Sequence, residues 1–179
     1  MWTGKCIVRW AVLSAALLSV GCQTVGSTEG LDGTAAAAWW YTMEFAPTST
    51  SVRGIDVDTM DPTWRAATVL DTGTLAGRLS VDERTRFDNS ALSFSVDADL
   101  DDDGGAETFF VGVFETDAGD RGRFVAVTGN GRLLQLFQQT GAAGFSALLD
   151  GTDEVRWYQC MECGEFETII WTGNSYVLE

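Results

Sequence analysis

The 179-residue chain carries 11 Lys and Arg against 26 Asp and Glu, a net charge of −15 at pH 7, and contains no histidine. An acidic surface of this kind offers no electrostatic footprint for nucleic acid and is repelled by anionic lipid headgroups. Without imidazole, the commonest general base and the commonest zinc and copper ligand are missing, so a Ser-His-Asp relay is excluded and catalysis would have to run on carboxylates.

The chain opens MWTGKCIVRWAVLSAALLSVGC, with basic Lys5 and Arg9, an apolar run from Trp10 to Val20, and then small residues before a cysteine. This is the layout of a secretory signal peptide over residues 1–21, whose apolar part is short for a membrane span. Removing it takes Lys5 and Arg9 away and leaves nine arginines, no lysine and a net charge of −17. Leu18-Ser19-Val20-Gly21-Cys22 resembles the lipobox of bacterial lipoproteins, with Ser19 where that family usually has leucine. The resemblance implies cleavage before Cys22, acylation of its thiol, and attachment to the membrane through lipid alone. Gln23 in place of aspartate implies the outer membrane, with the domain in the periplasm or at the cell surface. Ordinary signal cleavage with Cys22 as a bystander, or no cleavage at all, is the alternative. Residues 22–34 are rich in Gly, Ser and Thr and read as a tether with a reach of roughly 20 Å. Residues 35–179 then form a single β-rich domain.

Within that domain AAAAWWYTMEF raises the apolar density at Trp39, Trp40 and Tyr41 and reads as a first strand or a short helix. The segment 60–71, MDPTWRAATVLD, carries helix signals: Asp61 as N-cap, Pro62 in the first turn, Trp64, Ala67 and Leu70 on one face, and Gly73 as the stop. This is the one short covering helix expected of the chain. The Asp71-Thr72-Gly73 that follows matches the DTG of retropepsin-like proteases, but a single copy at a helix end makes that reading remote. After residue 90 the period changes to two. Leu92, Phe94 and Val96 alternate with polar residues, and ETFFVGVFE, GRFVAV, RLLQLF, EVRWYQ, FETIIW and SYVL follow at short spacing. Gly129-Asn130-Gly131 is a hairpin signal, and FFVGVF, apolar on both faces, reads as a central strand. The expected fold is mainly β, an antiparallel meander sheet or small sandwich or barrel of about seven strands with the single helix over it.

The densest chemical feature is DADLDDDGGAE, residues 97–107. Asp99, Asp101, Asp103 and Glu107 stand at relative positions 1, 3, 5 and 9, and Gly104 lets the chain turn. Calcium takes six to eight oxygens, and alternate side chains of a turning loop converge on one point. The spacing, between LSFSV and ETFFVGV, resembles the calcium loops of FG-GAP and VCBS repeats. That resemblance implies side-chain ligands from Asp99, Asp101, Asp103 and Glu107 and a backbone carbonyl ligand from Gly105. Asp102 replaces the family's Gly or Asn, and Glu107 replaces its Asp. The alternative is a solvated acidic loop. A bound ion here is expected to be a structural staple.

Cys160-Met161-Glu162-Cys163 lies at a turn between two strands; with Cys6 lost in the leader, Cys22 taken by lipid and no histidine in the chain, nothing completes a zinc knuckle. In an exported protein a Cys160–Cys163 disulfide is expected. Five tryptophans remain after the leader, and they are read as core, with Trp157 and Trp171 on one sheet face. The expected function is that of an exported envelope lipoprotein with a non-enzymatic binding or structural role, stabilised by calcium and monomeric. The alternatives are a carboxylate-dependent cell-wall hydrolase, or an acidic inhibitor of a cationic protein such as lysozyme.

Overall fold

The computed structural model describes residues 38–179, which lie within a unit spanning Ala37–Glu179. The leader, the tether and Cys22 fall outside the described residues. Along the chain come α1 (Trp39–Thr42), β1 (Ser51–Val52), β2 (Ile55–Asp56), α2 (Val57–Met60), β3 (Trp64–Val69), α3 (Val81–Asp88) and β4 (Ser95–Ala98). They are followed by β5 (Glu107–Thr116), β6 (Arg121–Gly129), β7 (Arg132–Thr140), β8 (Ala147–Asp150), β9 (Val155–Tyr158), β10 (Phe166–Trp171) and β11 (Tyr176–Leu178). None of the described helices is long and apolar enough to cross a membrane.

The domain is mainly β and antiparallel, with no closed barrel. A five-stranded sheet runs β3-β5-β6-β7, with β4 also on β5, and a four-stranded sheet runs β8-β9-β10-β11. The long strand β5 organises the first sheet. One edge takes β6 from Thr108 to Glu115; the other is shared end to end by β4, opposite Glu107–Phe110, and β3, opposite Gly112–Thr116. The four-stranded sheet is a meander, as is β4-β5-β6-β7 in the first sheet, which β3 joins out of chain order. The β6–β7 hairpin turns on Asn130 and Gly131, both at positive φ (52° and 73°), which is the type I′ geometry expected of Asn-Gly.

FFVGVF is central in both senses. Phe109, Val111 and Val113 of β5, with Val125 and Val127 of β6, face the second sheet's Leu148, Val155, Trp157, Ile169 and Tyr176. On the opposite face Phe110, Phe114, Phe124 and Ala126 pack under Val52, Val57, Met60 and Trp64 from the β1–β2 hairpin, α2 and β3. Two separate cores therefore sandwich β5 and β6. The tryptophans are core: Trp39, Trp40, Trp64 and Trp157 are buried, and Trp171 packs partly buried beside them. Because Trp157 stands opposite Glu167, residues 157, 167, 169 and 171 share one face, as expected.

The expected helix over residues 60–71 is not there. The chain forms the one-turn α2, and Asp61 ends it in extended conformation (φ −151°, ψ 122°), as a residue before proline prefers. The Asp61 carboxylate accepts from Thr63 N (2.8 Å) and Thr63 Oγ1 (2.6 Å), starting a turn and not a helix. Residues 64–69 then become β3 and pair with β5. A bulge between Trp64 and Ala66 shifts the register, so that Trp64 and Ala67, three apart, both enter the same core. This irregularity imitates helical spacing in a strand. Trp64 does cover a sheet face, stacked on Phe114 at 4.4 Å, but from within the sheet.

The longest described helix is α3, which the sequence reading passed over. Ser80 caps it: its hydroxyl accepts from Glu83 N, and Glu83 reaches back to Ser80 N (2.8 Å), a reciprocal capping box. These bonds hold the Glu83 carboxyl below its ordinary pKa. Phe87 anchors the helix by stacking on Phe94 with ring centres 5.1 Å apart. The seven strands expected after residue 90 are all present as β4–β7 and β9–β11; β1, β2, β3 and β8 are additional.

Candidate metal centre

The acidic loop joins β4 to β5 across a register in which Ala98 faces Glu107. Thr108 Oγ1 donates to Asp97 Oδ1 at 2.6 Å, which ties the strand ends together just before the loop. Asp99 then folds over the turn, accepting Asp103 N at 3.2 Å and Gly104 N at 3.0 Å on its two oxygens. Asp101 Oδ1 also accepts from Asp103 N, at 3.2 Å. The turn needs two residues at positive φ, Asp102 (56°) and Gly104 (87°). Asp102 therefore adopts the left-handed conformation despite its side chain, which aspartate tolerates better than most residues.

This folding brings carboxylate oxygens of Asp99, Asp101 and Glu107 within 4.8 Å of one another, a group able to hold a metal ion. Of the other residues of the expected ligand set, Asp103 is used differently. Asp103 Oδ1 accepts from Gly105 N at 2.7 Å, so the Asp103 carboxylate is turned onto the loop's own backbone and is not part of the converging group.

Glu107 is unlike its partners. As the first residue of β5 it points inward and is only 6% exposed, whereas most of the loop faces solvent. Its Oε2 is buried without a hydrogen-bond partner among the described residues. Burial raises its pKa above the ordinary carboxyl value, and the charges of Asp101 and Asp103 push it further in the same direction. Tyr176 of β11 faces it and partly offsets the rise, yet neither Tyr176 Oη nor Glu107 Oε2 completes a hydrogen bond of normal geometry. The Tyr176 pKa is raised in turn, by its own burial and by the acid beside it. Tyr176 packs edge-on to Phe109 of the first sheet at 5.7 Å, so the acidic group sits where the two sheets meet. A cavity of about 450 Å³ adjoins it, lined by Asp101, Gln135, Trp171, Asn174, Ser175 and Tyr176.

At the opposite end of β10, Cys160 and Cys163 are bonded, with Cα atoms 5.8 Å apart, in the loop between β9 and β10. Cys160 is buried and Cys163 exposed. Tyr176 was not singled out from the sequence; SYVL read only as a strand, and nothing in its pattern announces a partner so far away in the chain. The DTG aspartate, Asp71, lies in an exposed turn after β3, where its Oδ1 accepts from Thr74 N at 2.7 Å. No protein-family model matches the chain, and no curated protein or solved structure is detectably similar to it.

Proposed function

We propose that the chain is an exported envelope lipoprotein whose β domain has a non-enzymatic binding or structural role and is held in shape by calcium in the acidic loop. The observation that carries the reading is the buried, unpartnered Oε2 of Glu107, converging with the carboxylates of Asp99 and Asp101. A buried charged acceptor with no donor is costly, and a cation at the common focus removes that cost. The donor set is all oxygen: the chain has no histidine, and Cys160 and Cys163 are consumed by their mutual bond. Hard oxygen ligands suit calcium over zinc or copper. The remaining coordination positions would fall to loop carbonyls and water. The ion would neutralise the acidic turn and pin the first sheet to Tyr176 of the second.

A hydrolase is less well supported. Glycoside hydrolysis sets two carboxyl groups across a substrate cleft, whereas one oxygen each of Asp99, Asp101 and Glu107 converges within 4.8 Å on a single focus suited to an ion. The lipoprotein part rests on the leader pattern and on Cys22.

Calcium added to the chelator-treated full-length chain is expected to raise its Tm, and Asp101→Ala to abolish the rise. An unchanged Tm in the wild type would overturn the ion site. Labelled palmitate is expected to enter the wild type but not Cys22→Ser; equal labelling of both would remove the lipid anchor from the reading.

A further inference from the structure

After the leader the chain has nine arginines, and most are accounted for. Arg65, Arg84, Arg121 and Arg156 pair with carboxylates, while Arg53 and Arg78 lie over the rings of Phe110 and Phe45. Arg123, on β6, differs. It is partly buried, and it makes no ion pair among the described residues of a strongly acidic protein. Its one hydrogen bond runs from Nη1 to Gln159 Oε1 at 3.2 Å, and its Nε is buried without a partner. Burial lowers its pKa with no carboxylate to oppose the effect. Gly144 makes room for it, since a Cβ there would stand 2.5 Å from Arg123 Nη2.

Arg123 lines a cleft of about 360 Å³ between β6 and the β9–β10 hairpin, beside the Cys160–Cys163 bond. Trp157 borders the same cleft. Across it stands Glu167, fixed by Gln139 Nε2, which donates to both carboxylate oxygens at 2.8 and 2.7 Å. Arg123 and Glu167 thus face one cleft with more than 4 Å between their charged atoms, an opposite-charge pair left open. The rim is mixed: exposed Glu165 adds a second carboxylate, and Tyr41, 67% exposed, presents an aromatic ring. Phe166 also borders it, but its ring lies on the other face of the hairpin, with Arg156 over it at 4.8 Å.

We infer that this cleft binds a zwitterionic ligand of amino-acid size, its carboxylate at Arg123, its ammonium on the acidic side formed by Glu167 and Glu165, and an apolar side group against Tyr41. The ligand closes the open charge pair, gives the Arg123 guanidinium the carboxylate it lacks, and covers the exposed ring of Tyr41. The volume is at the lower end of small-molecule sites, which suits a single amino acid or the end of a peptide whose two charges lie close together. The site is independent of the acidic loop.

The test titrates the full-length, disulfide-intact chain by calorimetry, in chelator, with L-phenylalanine, N-acetyl-L-phenylalanine and L-phenylalaninamide. Free phenylalanine is expected to bind, and each capped form to bind at least about tenfold more weakly, the loss expected for one charge-assisted hydrogen bond. Arg123→Gln and Glu167→Gln should weaken the free amino acid similarly. Tyr41→Ala, at an exposed position that leaves the fold alone, should weaken it while keeping the discrimination against capped forms. No heat from phenylalanine at millimolar concentration, or equal binding of free and capped forms, would overturn the inference. A folded Arg123→Gln that binds like the wild type would do the same.

Discussion

Glu107→Gln should stabilise the metal-free protein and destabilise the calcium-loaded one. In the wild type without calcium, Glu107 is 6% exposed, its Oε2 has no partner, and Asp101 and Asp103 repel its charge. An unsatisfied buried acceptor costs about 1–3 kcal/mol, more when charged. Glutamine removes the charge and can donate toward the Asp101 carboxylate while accepting from Tyr176. It still buries an amide, so a net gain of about 1 kcal/mol is expected, or about 4 °C in Tm for a domain of this size. Calcium at a hundred times its dissociation constant would stabilise the wild type by about 2.7 kcal/mol. The variant, lacking one of three convergent ligands, would gain far less, so the order of the two melting temperatures inverts. The pH dependence has a definite sign. Because the folded-state pKa of Glu107 lies above its ordinary 4.5, the native chain keeps this proton to higher pH than the unfolded chain does. The wild-type penalty is therefore absent below about pH 4.5, grows as pH rises through the raised value, and is constant above it. Thermal melts of both proteins across this range, with calcium and with chelator, read all of this. A wild type more stable than Glu107→Gln in chelator at pH 7, or two proteins whose order calcium leaves unchanged, would refute the argument.

Three further substitutions probe the frame around the site. Ser80→Ala removes the hydroxyl side of the capping box at the start of α3, leaving the backbone N–H of residue 80 to donate to Glu83, and should cost about 0.5–2 kcal/mol, seen as a lower urea midpoint with an unchanged slope. Gly112→Ala would drive a methyl group into the Phe124 ring and to within 2.6 Å of the Thr68 carbonyl. Overpacking of this kind costs about 1–3 kcal/mol, and it should lower Tm with and without calcium alike. Cys163→Ser opens a very short loop and should cost about 2 kcal/mol in the chain-entropy treatment, without altering the calcium-induced rise in Tm, since the bond lies at the other end of β10.

Where side-chain chemistry and local spacing agree, structure follows directly from the residues. Strands β4–β7 and β9–β11 announce themselves by alternation, and Asn130-Gly131 by its demand for positive φ. β5 is legible as a central strand because both of its faces are apolar. The convergence of Asp99, Asp101 and Glu107 was legible as well from the spacing of carboxylates about a tight turn, although the same spacing also nominates Asp103, which instead accepts from Gly105 N. The helix expected over 60–71 was misleading for a definable reason: a bulge beside Arg65 sends Trp64 and Ala67 into one core and produces a helical spacing in extended chain. The signal for α3, Ser80 three residues before Glu83, was present in the sequence and passed over.

By itself, then, the amino-acid sequence determined the fold class, the acidity, the turn chemistry and the acidic loop, because all of these depend on neighbours within a few residues. Tertiary structure alone decided that Glu107 is buried, that Tyr176 faces Glu107 across two sheets, and that Arg123 and Glu167 share a cleft. Those relations depend on how the two sheets are laid against each other. Burial and electrostatic pairing are set by residues far apart in the chain, and no local pattern encodes them.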